Sequence, residues 1–118
     1  MGRIRYLLAD LYFCEKLNEL TIPDLISESV ENAVLEWSGQ SETVQWINSP
    51  VQGWSGLCPL INGHLTLMVI PSWEYITMGI LSYEKTPDPK NLCEMIVSKL
   101  GPSVVSVDSL IRGNHLQN

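Results

Sequence analysis

Gly53-Trp54-Ser55-Gly56-Leu57-Cys58-Pro59-Leu60-Ile61-Asn62-Gly63-His64-Leu65-Thr66-Leu67-Met68-Val69-Ile70-Pro71-Ser72-Trp73-Glu74-Tyr75-Ile76-Thr77-Met78-Gly79-Ile80-Leu81-Ser82-Tyr83 is the run that decides the fold. Leu57 to Ile61 is short and apolar, which predicts a strand that turns over at Asn62-Gly63, a pair that strongly marks a tight hairpin. His64 to Ile70 alternates, with His64, Thr66 and Met68 on one face and Leu65, Leu67 and Val69 on the other. Pro71-Ser72 breaks the run because proline cannot donate to a ladder, and Tyr75 to Tyr83 resumes it. The prediction is a three-stranded meander.

Upstream, Glu42 to Asn48 predicts a strand with Val44, Trp46 and Asn48 on one face, followed by Ser49-Pro50 and Gln52-Gly53 as punctuation. Thr21-Ile22-Pro23-Asp24 predicts a helix start, with Thr21 as N-cap and proline in the first turn. Ile22, Leu25, Ile26, Val30, Ala33, Val34 and Trp37 then recur at helical spacing as one apolar stripe. Asp24, Glu28, Glu31 and Glu36 form the wet side, and Gly39 supplies the stop. Arg3 to Phe13 predicts an opening strand whose two faces are both largely apolar, so both need covering.

Downstream, Asp88 at N-cap and Pro89 at the first helical position open a second helix after Thr86-Pro87. Leu92, Met95, Ile96 and Leu100 give it a core face, and Gly101-Pro102 ends it. Val104 to Ile111 alternates as a last strand before the polar stretch Gly113 to Asn118. The order is β-α-β-β-β-α-β. Two helices with one apolar stripe each cover one sheet face, an α/β (α+β) two-layer sandwich on an antiparallel sheet. Tyr6, Tyr12, Trp46, Trp54, Trp73 and Tyr75 are more aromatic surface than a small monomer leaves wet, which predicts sheet-to-sheet dimerisation.

The 118 residues, 45% of them hydrophobic, suffice for a single domain over 1–118 with a real core. A formal charge of −6 with scattered basic residues disfavours nucleic-acid binding, which needs a basic patch against phosphates. No apolar run approaches the ~20 residues of a membrane helix. Three cysteines, Cys14, Cys58 and Cys93, lack metal-ligand spacing; the expectation is no metal and reduced thiols in the cytoplasm.

Few residues promise chemistry. Asp10 interrupts an apolar run; it is either held by a backbone or hydroxyl partner or faces a ligand cavity. His64, after the turn, reads as a turn-flanking polar residue or as an acid or base. Ser55 lacks a neighbouring general base in sequence and is a weak nucleophile.

Tyr6-Leu7-Leu8-Ala9-Asp10-Leu11-Tyr12-Phe13-Cys14 resembles the opening strand of the bacterial and archaeal S-adenosylmethionine decarboxylases, His-Leu-Leu-Val-Asp-Leu-Tyr-Gly-Cys. Gln52-Gly53-Trp54-Ser55-Gly56 resembles that family's Gln-Gly-Val-Ser-Gly, and His64-Leu65-Thr66-Leu67 its His-Leu-Ser-Ile. Asp88-Pro89 and Arg112-Gly113 match later landmarks, and the register holds without a gap from Gln52 to Pro89. The resemblance implies a dimer of four layers, α/β/β/α. It implies ligand contacts at Asp10, Trp54, Ser55, His64 and Thr66, with an S-adenosylmethionine-like small molecule as ligand.

In that family a Glu-Ser bond cleaves itself and the serine becomes a pyruvoyl group, the electron sink for decarboxylation. The resemblance puts Asn62-Gly63 at that bond, and glycine has no hydroxyl to form the ester. The family's processing histidine falls on Met68, its proton-donating cysteine on Tyr83, and its Trp-Pro-Glu on Ile70-Pro71-Ser72. Of the processing and turnover residues only Ser55 remains. The expectation is a decarboxylase-like pseudoenzyme without a pyruvoyl cofactor, acting by ligand binding or by pairing with an active relative, as homodimer or heterodimer. The alternatives are a pyruvoyl-independent enzyme such as a lyase, with His64 and Tyr83 as acid or base, and a structural dimer whose pocket Met68 and Tyr83 have filled.

Overall fold

In the computed structural model, which describes residues 4–15, 17, 22–49, 53–83 and 87–113 (residues 48 and 49 by backbone alone), β1 (Ile4–Tyr12) lies between β5 (Tyr75–Ser82) and β6 (Val104–Arg112). The sheet continues from β5 through β4 (Gly63–Ile70) and β3 (Gly53–Leu60) to β2 (Gln45–Ser49), six strands in the order β2-β3-β4-β5-β1-β6. Every neighbouring pair is antiparallel. With α1 (Ile22–Ser38) and α2 (Pro89–Leu100) the order is β-α-β-β-β-β-α-β, four strands between the helices where the expected β-α-β-β-β-α-β has three. The expected Thr21 cap, Arg3, Gln52, Thr86 and the tail beyond Gly113 lie outside the described residues, as does the side chain of Asn48.

The strand period of two sorts the sheet into two faces. Leu7, Ala9 and Leu11 of β1 pair with Ile80, Met78 and Ile76 of β5, and these with Leu65, Leu67 and Val69 of β4. All nine are buried in one core with Ile22, Ile26, Val30, Ala33 and Val34 of α1 and Leu92, Ile96 and Leu100 of α2. Each of the Val, Leu, Ile and Met side chains contributes roughly 1.5–3 kcal/mol on removal from water. Both helices therefore lie on one side, and the other side of the sheet is open.

Local chemistry fixes the helix ends. Asp88 caps α2, its carboxylate accepting from the Lys90 amide at 2.9 Å, and Gly101 closes the helix in the left-handed region at φ 62°. The Trp37 indole donates to the Asp88 carbonyl at 2.7 Å, which ties the end of α1 to the start of α2. Glu31 differs from its expected place on the wet side of α1: its carboxylate accepts from the Val44 amide at 2.9 Å and holds the approach to β2.

Two further expectations need correction. The β3–β4 turn consists of Ile61 and Asn62, since Leu60 pairs with Gly63, and neither turn residue has positive φ. Asn62 is buried with its amide donating to the Pro87 carbonyl at 3.2 Å, and Gly63 is already the first residue of β4. The aromatic residues also divide between the faces. Trp46 donates to Ser27 of α1 at 2.7 Å and meets Trp54 edge-on at 6.5 Å, so both indoles lie on the helix side. Tyr6, Tyr12 and Tyr75 remain on the open side.

Candidate functional site

Pairing arranges the open face in rows, in which directly opposed side chains have Cβ atoms roughly 4.5–5.5 Å apart. One row runs through Ile47, Ser55, Met68, Thr77, Asp10 and Ser106. The next runs through Gln45, Leu57, Thr66, Gly79, Leu8 and Asp108. Together these two rows frame a concavity of about 640 Å³, lined among others by Tyr6, Leu8, Ser55, Thr66, Met68 and Thr77.

Gly79 makes the floor of that concavity. A Cβ there would lie 3.0 Å from Thr66 Oγ1, 3.0 Å from Tyr6 Cε1 and 3.1 Å from the Tyr6 hydroxyl oxygen. The phenol ring of Tyr6 therefore lies across the bare backbone of Gly79 and brings its hydroxyl toward Thr66. The lining carries hydroxyls, an amide and apolar side chains, and no formally charged group.

Charge enters at the rim. The Tyr75 hydroxyl donates to Asp10 Oδ1 at 2.6 Å, and the Tyr12 and Tyr75 rings meet at 5.3 Å. Burial, and then the bond to Asp10, push the Tyr75 phenol above its usual value, so it stays protonated and acts as a donor. The Asp10 carboxylate inside an apolar strand is thus held by a hydroxyl, one of the two readings open from the sequence. The three cysteines are all buried; Cys58 points to the helix side, and burial, with lesser effects from Glu42 and Glu31, raises its thiol to about 11.

The residues expected at a site separate into groups. Ser55, Thr66 and Met68 come together in the concavity, with Asp10 one step along the row from Thr77. Met68 is 46% exposed and flanks the cavity without filling it. His64 is exposed one row further on, between Pro59 and Leu81. Tyr83 follows β5, exposed, its amide donating to the Asn62 carbonyl at 2.9 Å. Trp54 belongs to the opposite face, against the core. Thr77 and Gly79 carry no expectation from the sequence, and Tyr6 and Tyr75 are expected only as part of an aromatic sheet face. Parity along β5 places Tyr75, Thr77 and Gly79 beside Met68 and Thr66, whereas the Asp10–Tyr75 bond spans 65 residues and leaves no local signal.

Position 63 is the most constrained. Gly63 pairs with Leu60 on one side and Ser82 on the other. A Cβ on it would fall 1.8 Å from the Leu81 carbonyl oxygen and 2.8 Å from its carbon. These are backbone atoms, so no side-chain rotation relieves the contact.

Comparison with known proteins agrees with this fold. The family model described as S-adenosylmethionine decarboxylase matches residues 5–113. The S-adenosylmethionine decarboxylase proenzymes of Caldicellulosiruptor saccharolyticus and Caldicellulosiruptor bescii are each 26% identical to the chain over 109 residues, 92% of this chain and 87% of theirs. The proenzyme of Shouchella clausii is 26% identical over 109 residues, 92% of this chain and 84% of its own. The crystal structure of the adenosylmethionine decarboxylase from Aquifex aeolicus superposes with a TM-score of 0.66 at 16% identity, covering 95% of this chain and 90% of that one. The chain belongs to the S-adenosylmethionine decarboxylase family.

Proposed function

We propose that this chain is a family member without the self-processing chemistry, a pseudoenzyme that acts by ligand binding on its open sheet face or by pairing with an active relative. The observation that carries this reading is position 63. The proenzyme route needs a hydroxyl there, and the backbone of β5 leaves no space for the atom that would bear it. The residues present therefore do not fit a pyruvoyl group. Met68 supports the same reading, since a thioether cannot move a proton where an imidazole would.

The ligand would be an S-adenosylmethionine-like molecule in the concavity between Ser55, Thr66, Met68 and Thr77, over the ring of Tyr6. The open face, with Tyr6, Leu8, Tyr12 and Tyr75, would also bury against a second sheet, giving four layers in a homodimer or in a heterodimer with an active chain. The buried, protonated thiols suit a reducing compartment such as the cytoplasm.

A second reading, a pyruvoyl-independent enzyme such as a lyase, draws on the Tyr75–Asp10 pair, a proton donor and acceptor at the rim of the concavity. His64 and Tyr83, the acid or base candidates from sequence, do not line it. Incubation with S-adenosylmethionine, followed by product analysis and a binding isotherm, separates the two. The pseudoenzyme reading expects saturable binding and unchanged ligand; carbon dioxide release would overturn it, and a sulfonium-cleavage product would establish the second.

A further inference from the structure

The two edges of the sheet are built differently. β2 is a five-residue strand. β6 has nine residues, contains no proline, glycine or lysine, and pairs with β1 from Val104 to Arg112 without a bulge. Native edges are usually blunted by those devices, because a long flat edge presents free amides and carbonyls to another chain. All nine β6 residues are exposed, among them Val105, Val107 and Ile111 on the helix side and Val104 and Leu110 on the open side. Neither helix covers this strand, although its apolar residues alternate onto both faces.

We infer that β6 is a self-pairing edge: two copies of this chain join β6 to β6 antiparallel about a two-fold axis at Leu110, extending one continuous sheet. The charges choose the occupant and the register. A two-fold axis perpendicular to the sheet keeps each face on its own side, so residues of like parity oppose one another. Centring the pair on Asp108 would set two carboxylates face to face, which is destabilising. Centring it on Leu110 sets Asp108 of each copy opposite Arg112 of the other, and Ser109 opposite Ile111. No other two-fold register opposes the strand's single acid to its single base. Each copy supplies one half of both ion pairs, so the edge is complementary to itself. This inference does not depend on the reading of position 63.

The test uses sedimentation of the full chain together with hydrogen exchange at β6. Asp108→Arg and Arg112→Asp should each weaken association by about tenfold, because each replaces two attractions by two repulsions. Mixing the two variants should restore it, since arginines of one then oppose aspartates of the other. In the wild-type assembly the amides between Asp108 and Arg112 that point away from β1 should be protected, and they should exchange freely in either single variant. Protection separates edge pairing from stacking through the open face, which leaves those amides in water. Wild-type protein that stays monomeric at hundreds of micromolar, a mixture that fails to recover, or outward amides between Asp108 and Arg112 that exchange freely in the assembled wild type would each overturn the inference.

Discussion

The helix side and the open side of the sheet are made by the same strands under opposite constraints. On the helix side Leu65, Leu67 and Val69 alternate with Thr66 and Met68 on the other, and the first three are buried while Met68 is 46% exposed. A side chain sealed against α1 and α2 is fixed by volume. A side chain on the open face is fixed only by what it must bind or react with, so it can change its chemistry at little cost to the fold. Under the proposed reading, Met68 beside Ser55 would be such a change. Position 63 belongs to the helix-side row, between buried Leu60 and Ser82, and there a Cβ would meet the backbone of β5. A change of residue at 63 therefore acts on packing, while a change on the open face acts on surface.

The comparison is challenged most strongly by truncating one residue from each side. Leu65→Ala should cost about 2–5 kcal/mol, the range for a leucine cavity in a closed core. Met68→Ala should cost less than about 1 kcal/mol, since half of that side chain is already in water. Denaturant unfolding of the two variants measures both, and equal losses would show that the open face is packed as a core. Next in size is Gly63→Ser, where a side chain forced against the Leu81 carbonyl should cost about 1–3 kcal/mol. The variant should remain uncut and release no carbon dioxide from S-adenosylmethionine. Efficient cleavage would mean that β5 yields easily and that position 63 alone stands in the way of processing. Tyr75→Phe should then cost about 1 kcal/mol through the lost bond to Asp10, read from the same unfolding curves.

The smallest effect is on alkaline stability. Burial raises the thiols of Cys14, Cys58 and Cys93 to about 11 from 9.0, and the Tyr75 phenol is shifted in the same direction. A raised pKa means that the folded chain holds the proton more tightly than the unfolded one. That stabilisation is complete below pH 9 and is lost as pH climbs toward 11. The melting temperature should be flat from pH 7 to 9 and fall between 9 and 11, and replacing Cys58 by alanine should make the fall shallower. An unchanged slope in that variant would remove the thiol from the explanation.

The places of the strands and helices, both helix stripes and the Asp88 cap could be read from periodicity and capping residues, because those signals are local and each is repeated by packing. The Asn62-Gly63 turn was misplaced by one residue. Its hairpin preference rests on positive φ, whereas here Asn62 is bound to the Pro87 carbonyl and Gly63 is needed for its close approach to β5. The face of Trp54 was obscured because Gly53, Ser55 and Gly56 are weak strand formers, held in β3 by pairing on both sides. Starting β3 at Gly53 would have put Trp54 in phase with Cys58 and Leu60, on the buried side. The concavity was half legible. Ser55 and Thr66 came from the family resemblance, while Tyr6 over Gly79 and the Asp10–Tyr75 bond depend on strands far apart in the chain.

The central claim is that the bond between Asn62 and Gly63 stays whole. Intact-mass measurement of the purified chain tests it directly, because self-processing in this family leaves two pieces. A single species at the full-length mass of 13.2 kDa is expected. Two fragments that meet between Asn62 and Gly63 would contradict it and return the chain to the self-cleaving members of its family.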